Sequence, residues 1–133
     1  MSLVGIVLVS HSAQVASSVA AMAGALSGGG ETAPIAAAGG TDDGRFGTSA
    51  QLIAAAAAEV DQGAGVAVLA DLGSAVLTVK ALIAEGDQLP DGTRLLDAPF
   101  AEGAVAALVT ASAGADLDAV AAAAAEAYEY RKV

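Results

Sequence analysis

The sequence contains no cysteine and no tryptophan, and only two phenylalanines and two tyrosines among its 133 residues. Without cysteine the chain can form no disulfide, no thiolate metal site and no thiol nucleophile, which fits a reducing cytoplasm and makes redox chemistry an unexpected function. Aromatic residues make up 3% of a chain that is 56% hydrophobic, so the core must consist of many small aliphatic side chains. Helices and sheet should therefore pack at close range.

Basic residues are also scarce, with five lysines and arginines against 15 acidic residues and a net charge of −10. Such a charge repels phosphate backbones and anionic headgroups, so nucleic acid and membrane surfaces are not expected partners. The apolar run Leu3–Val9 is only as long as a strand, and no basic region precedes it. We therefore expect neither a signal peptide nor a membrane span, and we assign the protein to the cytoplasm.

Apolar runs of strand length alternate with helical patterns along the chain. Four runs are typical of strands, the last of them weaker: Leu3–Ser10, Pro34–Ala38, Gly65–Ala70 and Thr93–Leu96. A helical pattern follows each of the first three, and two further helices are predicted at about 101–112 and 116–131. This alternation predicts an α/β fold: a doubly wound, mainly parallel four-stranded sheet in the order 2-1-3-4 with helices on both faces.

Periodicity within the helices predicts their apolar faces and one helix start. Two sets of residues recur at helical spacing and mark the apolar faces of the first and third helices: Val15, Val19, Met22 and Leu26, and Leu72, Val76, Val79 and Ile83. Thr48 and Gln51 have the spacing of a capping box, so the second helix is expected to begin near Thr48.

The predicted strand order also locates the functional site. Strands 1 and 3 are neighbours whose following loops diverge, and ligands of open α/β sheets collect at such a point, at the carboxyl ends of the strands. His11, the only histidine, lies there, where a helix N-terminus would stabilise a phosphate on its ring. Ser10 and Ser12 flank it, and each is interpreted either as a helix cap or as a hydroxyl donor to a phosphoryl oxygen.

Asp71 ends the third strand and has two interpretations of its own. It can cap the helix that follows, or its carboxylate can accept a hydrogen bond from one imidazole nitrogen of His11 and leave the other nitrogen free to attack phosphorus. The carboxylate would also stabilise the imidazolium that forms. The remaining expected phosphate ligands lie in the loops after strands 2 and 3, where the glycines could equally be simple turn formers: Gly39, Gly40, Thr41, Thr48, Gly73 and Ser74.

Several alternative chemistries lack their motifs. The sequence has no GxxxxGK[ST], no GxGxxG after the first strand and no kinase catalytic loop, so nucleotide binding is not predicted. One histidine, no cysteine and the single acidic pair Asp42-Asp43 make a metal site improbable. We expect neither metal nor cofactor, and covalent phosphoryl transfer through His11 fits best.

Four ordered motifs resemble one known family over nearly the whole chain. They are IVLVSHS at 6–12, AAGGTDD at 37–43 with GT at 47–48, LADLGSA at 69–75, and DAPFAEGAVAALVTASAGADLDAV at 97–120. The chain resembles the phosphotransferase subunit of phosphoenolpyruvate-dependent dihydroxyacetone kinase, a relative of the mannose-type EIIA domains. The resemblance implies that a histidine-containing phosphocarrier protein phosphorylates His11. The group would then pass to ADP on the ADP-binding kinase subunit, whose neighbour phosphorylates dihydroxyacetone.

The same resemblance places Asp71 beside His11 and implies a homodimer. Larger family members carry additional domains, so residues 1–133 are expected to be a single EIIA-like phosphotransfer domain that needs a separate phosphocarrier. Two alternatives stay open: an EIIA component of a mannose-type sugar permease with its acceptor on a B domain, and a non-catalytic regulatory module that binds an anion. The GGTDD and DLGSA segments favour the dihydroxyacetone branch.

Overall fold

The strands and helices alternate in the order that the sequence predicts. A computed structural model describes residues 2–28 and 30–133. The elements are β1 (Gly5–Ser10), α1 (Ala13–Leu26), β2 (Ile35–Gly39), α2 (Ala50–Val60), β3 (Val66–Ala70), α3 (Gly73–Glu85), β4 (Thr93–Leu95), α4 (Phe100–Ser112) and α5 (Leu117–Glu126), followed by a 3-10 turn at Ala127–Glu129. No helix in this described part of the chain is long and apolar enough to cross a membrane.

The four strands form one parallel sheet in the order β2-β1-β3-β4, which confirms the predicted topology. Ser10 pairs with Gly39 on one side, and Val9 pairs with Ala70 on the other. This register brings the residues that follow β1, β2 and β3 to the same edge of the sheet. His11 and Asp71 therefore leave neighbouring strands side by side.

The sheet is covered on both faces, and β1 is buried along its whole length. Ile6 and Leu8 pack on the side of α1, α4 and α5, while Val7 and Val9 pack on the side of α2 and α3. Successive residues of a strand point to opposite faces, so the uninterrupted apolar run of β1 supplies both cores.

Alanines, rather than the larger apolar residues, form the closest contacts of α1 with the core. Ala16 and Ala23 are fully buried, whereas Val15, Met22 and Leu26 from the predicted apolar face are exposed. On α3 the buried residues are Ala75, Val79 and Leu82, and Leu72 and Ile83 are exposed. Small side chains let a helix approach the sheet closely, and this leaves the larger side chains at the margin of the contact.

The second helix begins one residue later than the capping-box prediction. Ser49, not Thr48, is the N-cap of α2, and its hydroxyl accepts a hydrogen bond from Leu52 N at 3.2 Å. Thr48 Oγ1 instead lies 3.2 Å from Thr78 Oγ1 on α3. The prediction at Thr48 was wrong because two hydroxyl residues stand in succession and a tertiary contact uses the first.

Candidate active site

His11 directly follows β1, and the loops after the two neighbouring strands hold its backbone. Its N–H donates to Asp71 Oδ2 at 3.1 Å, and its carbonyl accepts from Gly47 N at 2.9 Å. The side chain is 24% exposed, so one edge of the ring stays open to a partner. The backbone of His11 is therefore held in place, while part of its imidazole ring stays accessible to solvent.

Asp71 and His11 form the central pair of the site, with His11 Nδ1 2.9 Å from Asp71 Oδ1. An ionised carboxylate can only accept hydrogen bonds, so this contact requires the proton to be on Nδ1. In the neutral ring the lone pair is then on Nε2. Asp71 thus selects the nitrogen that can act as a nucleophile.

The carboxylate of Asp71 is held on both of its oxygens. Oδ1 also accepts from Leu72 N at 2.7 Å, and Oδ2 accepts from Ser10 Oγ at 2.8 Å as well as from His11 N. Burial alone would raise the pKa of Asp71, but the hydrogen bonds from His11, Ser10 and Leu72 outweigh it and hold the pKa below its usual value. The group is therefore a carboxylate at neutral pH.

Ser74 contacts the opposite nitrogen of the ring. Its Oγ forms a hydrogen bond with His11 Nε2, and its hydroxyl is the donor when Nδ1 carries the ring proton. Ser74 lies in the first turn of α3, and Leu72, the N-cap residue, provides no side-chain cap. The N–H groups of Gly73 and Ser74 have no partner within the helix and are available to an anion.

The two serines beside His11 differ in their roles. Ser12 is the N-cap of α1 and accepts a hydrogen bond from Val15 N at 3.2 Å. Ser10 is buried, donates to Asp71 and accepts from Ser12 N at 3.1 Å. Capping therefore accounts for Ser12 but not for Ser10.

The loop after β2 meets His11 through backbone rather than side chains. A Cβ on Gly39 would lie 2.4 Å from Ser12 O, so only glycine fits there. Gly40 has a φ of 72° and donates its N–H to Ser10 O at 3.1 Å. The Thr41 hydroxyl bonds to Asp43 and Arg45 within the loop.

Of the predicted ligands, Ser74 contacts the imidazole and Ser10 contacts Asp71. The side chains of Thr41 and Thr48 bond to other residues, and Gly39 and Gly40 contact the segment around His11 only through backbone.

Three exposed apolar side chains on the segments that contact His11 were not predicted as part of the site. Phe46 is 84% exposed, Leu77 68% and Leu72 62%. Phe46 precedes Gly47, Leu72 follows Asp71, and Leu77 is three residues beyond Ser74, so each adjoins a residue that contacts His11. The available signal was a phenylalanine within the Gly/Asp loop GGTDDGRFG.

Comparison with known proteins agrees with the fold and identifies the family. Residues 5–121 match the EIIA-man family, described as the PTS system fructose IIA component, and the chain belongs to that family. Its relatives include the phosphoryl donor subunit DhaM of PEP-dependent dihydroxyacetone kinase 2 from Listeria innocua. That protein is 36% identical over 108 residues, which are 80% of this chain and 85% of the relative.

Two further comparisons extend this result. The phosphoryl donor subunit DhaM of the PEP-dependent dihydroxyacetone kinase of Escherichia coli is 36% identical over 121 residues, and the match spans 89% of this chain but 25% of that protein. The crystal structure of the unknown function protein EF1359 superimposes with a TM-score of 0.80 at 32% identity, covering 93% of this chain and 94% of that one. The resemblance to a DhaM-like, mannose-type EIIA is thus confirmed.

Proposed function

We propose that the protein is a phosphoryl carrier of a PEP-dependent dihydroxyacetone kinase. In this role His11 accepts a phosphoryl group from the histidine-containing phosphocarrier protein and passes it to ADP on the ADP-binding kinase subunit. The observation that carries the proposal is the placement of His11, with Nδ1 on the Asp71 carboxylate and Nε2 beside Ser74 at the uncapped N-terminus of α3. The DhaM relatives, described as phosphoryl donor subunits, support it.

The acceptor step is an in-line displacement at phosphorus. The Nε2 lone pair attacks the phosphoryl group of the donor, the donor's own N–P bond breaks, and its electron pair returns to the donor nitrogen. As the new Nε2–P bond forms, the His11 ring becomes positively charged, and Asp71 stabilises that charge through Nδ1–H. In this step the Ser74 hydroxyl turns from Nε2 to a phosphoryl oxygen, and the N–H groups of Gly73 and Ser74 at the start of α3 are proposed to donate to the same phosphoryl group.

The second step reverses the first with a different acceptor. A terminal phosphate oxygen of ADP on the partner subunit attacks phosphorus, the Nε2–P bond breaks, and the electron pair returns to Nε2. Asp71 keeps the proton on Nδ1, so the ring is regenerated in the tautomer that began the cycle. The protein contributes positioning and electrostatic stabilisation, which are the main requirements of phosphoryl transfer.

The partners are proposed to dock on the apolar rim, defined as Phe46, Leu72 and Leu77. Exposed aromatic and aliphatic side chains of this kind commonly anchor protein interfaces. The net charge of −10 favours partners with basic surfaces and increases their rate of encounter at low salt. Both partners, and therefore this chain, are placed in the cytoplasm in this proposal.

We also propose that residues 1–133 act as a single EIIA-like domain in a homodimer, as the family resemblance implies. A groove of about 660 Å³ between α1, α4, α5 and residues 130–132 is lined mainly by apolar side chains, including Met22, Leu26, Val109 and Tyr130. A second copy would cover this surface. A dimer predicts twice the mass of one chain in light scattering, and Met22→Lys should reduce it to one; a single-chain mass for the unmodified protein would refute the dimer.

The phosphoryl carrier proposal is tested by following labelled phosphate. The protein is incubated with labelled phosphoenolpyruvate, enzyme I and the phosphocarrier protein, and then with the ADP-binding subunit and ADP. We expect acid-labile label on the unmodified chain, none on His11→Ala, and transfer to ADP. Absence of label on the unmodified chain contradicts the carrier function, and label on His11→Ala contradicts the site.

One alternative is favoured by the description of the matching family as a fructose IIA component. In that case the chain would be the EIIA component of a sugar permease. The same labelled protein distinguishes the two, because label would then move to a sugar-branch B domain and not to ADP. The regulatory-module alternative predicts that phosphate binds without becoming covalently attached.

A further inference from the structure

Ser10 stands apart in the core because it is a buried polar residue at the end of a strand that is otherwise apolar, with 1% of its surface exposed. Burying a hydroxyl is unfavourable unless its hydrogen bonds are made. Here both are made to the site: Oγ donates to Asp71 Oδ2 at 2.8 Å and accepts from Ser12 N at 3.1 Å. Ser10 therefore helps to hold the Asp71 carboxylate in place.

The sheet register brings Ser10 and Asp71 together. Val9 pairs with Ala70, and Asp71 N donates to Val9 O at 3.1 Å, so the next residue of each strand lies beside the other. A carboxylate can rotate about its Cβ–Cγ bond. Its orientation becomes fixed when donors hold both oxygens, and Ser10 is the side-chain donor to Oδ2 while His11 Nδ1 is the side-chain donor to Oδ1.

The hydrogen bonds of Ser10 also determine what it cannot do. A hydroxyl has one proton, and that of Ser10 is donated to Asp71. It has no second proton for a phosphoryl oxygen, and its burial keeps it from the open edge of the imidazole. A role as a phosphate ligand, as the sequence suggested, is therefore less consistent with its contacts than a role through Asp71.

We propose that Ser10 is a positioning residue for phosphoryl transfer: it orients the Asp71 carboxylate so that Oδ1 meets His11 Nδ1, and thereby holds the ring in the Nδ1–H tautomer. The inference rests on the proposed function for its consequence in transfer, but the tautomer itself is a property of the isolated chain. Without Ser10, the carboxylate loses one donor to Oδ2 and can turn away from Nδ1. The Nε2–H tautomer, which cannot attack phosphorus through Nε2, then gains population.

The chain is well suited to a direct test because it has one histidine. Imidazole ¹⁵N resonances, recorded at a pH where the ring is neutral, report which nitrogen carries the proton without interference from other residues. We expect Nδ1–H to dominate in the unmodified protein and a mixture of tautomers in Ser10→Ala. Ser10→Thr, which keeps the hydroxyl, should restore most of the Nδ1–H population.

Ser12→Ala is the matched control, since it removes a hydroxyl two residues away that only caps α1. It should lower the melting temperature and leave the tautomer unchanged. In the transfer assay Ser10→Ala should lower the maximal rate of His11 phosphorylation about tenfold, with the KM for the phosphocarrier unchanged. Ser12→Ala should stay within about twofold of the unmodified rate.

The outcomes separate this inference from the proposed function. Failure of the unmodified chain to accept phosphate refutes the carrier function, yet the tautomer measurement still decides whether Ser10 positions Asp71. An unchanged tautomer in Ser10→Ala overturns the inference even if transfer proceeds. If Ser10→Ala does not fold, Ser10→Cys keeps a similar volume with only a weak donor, and the same shift toward Nε2–H is required of it.

Discussion

The loops after β1 and β3 meet one another through side chains, whereas the loop after β2 meets the same segment through backbone. His11, Asp71, Ser10 and Ser74 form a continuous set of hydrogen bonds between the first two loops. The last residue of β2 and the loop that follows it, residues 39–49 and here called the β2 loop, instead use backbone N–H groups: Gly40 N donates to Ser10 O and Gly47 N to His11 O. All three loops contain polar residues, but only the loops after β1 and β3 bring side chains together at the imidazole.

This difference separates the consequences of mutation in the two regions. Substitutions at the hydrogen-bonded side chains of His11, Asp71, Ser10 and Ser74 should change the transfer rate and leave the fold intact. Substitutions at the glycines and hydroxyl residues of the β2 loop should change stability first, because these residues support the backbone on which His11 is placed. The exposed Phe46 of this loop is the exception, since its side chain is expected to act in docking. Five predictions test this division, in decreasing order of expected effect.

Gly39→Ala should have the largest effect and should act on folding. A Cβ there would lie 2.4 Å from Ser12 O and 2.6 Å from Ala13 Cα, both backbone atoms that cannot move without shifting β1 or α1. Overpacking of this kind destabilises a protein by about 3 kcal/mol. Chemical denaturation measures the loss. Gly73→Ala is the control, because no atom lies within 4 Å of its Cβ, and it should unfold like the unmodified chain.

Asp71→Asn should reduce phosphoryl transfer by about 100-fold, or about 2.7 kcal/mol of transition-state stabilisation. The amide keeps the shape of the carboxylate but has no negative charge to stabilise the developing imidazolium. The maximal rate of His11 phosphorylation should fall while the far-ultraviolet circular dichroism spectrum stays the same. A rate within twofold of the unmodified protein would show that the carboxylate is structural only.

A second measurement on Asp71→Asn is the dependence of its folding stability on pH. Because hydrogen bonds hold the pKa of folded Asp71 below its usual value, this carboxylate stabilises the fold fully above that usual value. Its contribution is lost as the pH falls through the lower pKa of the folded state. The stability difference between the unmodified chain and Asp71→Asn should therefore shrink on acidification, and a difference that grows would contradict the assignment.

Phe46→Ala should weaken partner docking about tenfold, or about 1.4 kcal/mol, because an exposed aromatic ring contributes binding area without supporting the fold. The KM for the phosphocarrier should rise and the maximal rate should hold. Leu77→Ala should act in the same direction. Ile83→Ala, six residues further along the same helix, should leave the KM unchanged; a rise there equal to that of Leu77→Ala would argue against the apolar rim.

The sequence was most informative where one pattern admitted one arrangement. The apolar runs of β1 and β3 predict buried parallel strands, and their predicted adjacency places His11 beside Asp71, where the structure also has it. The motifs of the family resemblance pointed to the same two residues. The site could be located because it depends on strand order, which the alternation of elements determines.

Details that depend on the choice between similar residues could not be predicted. In α1 both the alanines and the larger apolar residues recur at helical spacing, so the pattern alone does not show which set faces the core. The close approach of the helix to the sheet decides that Ala16 and Ala23 are buried. The orientation of Ser10 toward Asp71 depends on the pleat at the last residue of β1. Helix α3 has no side-chain cap because the Asp71 carboxylate bonds to His11 instead, and these two residues are 60 positions apart in the sequence.

The smallest effect is expected at the start of α2, where two hydroxyl residues stand in succession. Thr48 and Ser49 are equally good capping residues by type, but Ser49 accepts from Leu52 N and also bonds to Asp42, while Thr48 contacts Thr78. Ser49→Ala should therefore destabilise the protein by about 1 kcal/mol, and Thr48→Ala by about half as much, in chemical denaturation. Both should transfer phosphate at the unmodified rate, since neither side chain contacts His11 or Asp71. A tenfold slower transfer in either variant, with stability unchanged, would give the β2 loop a chemical role and remove the division between the two regions.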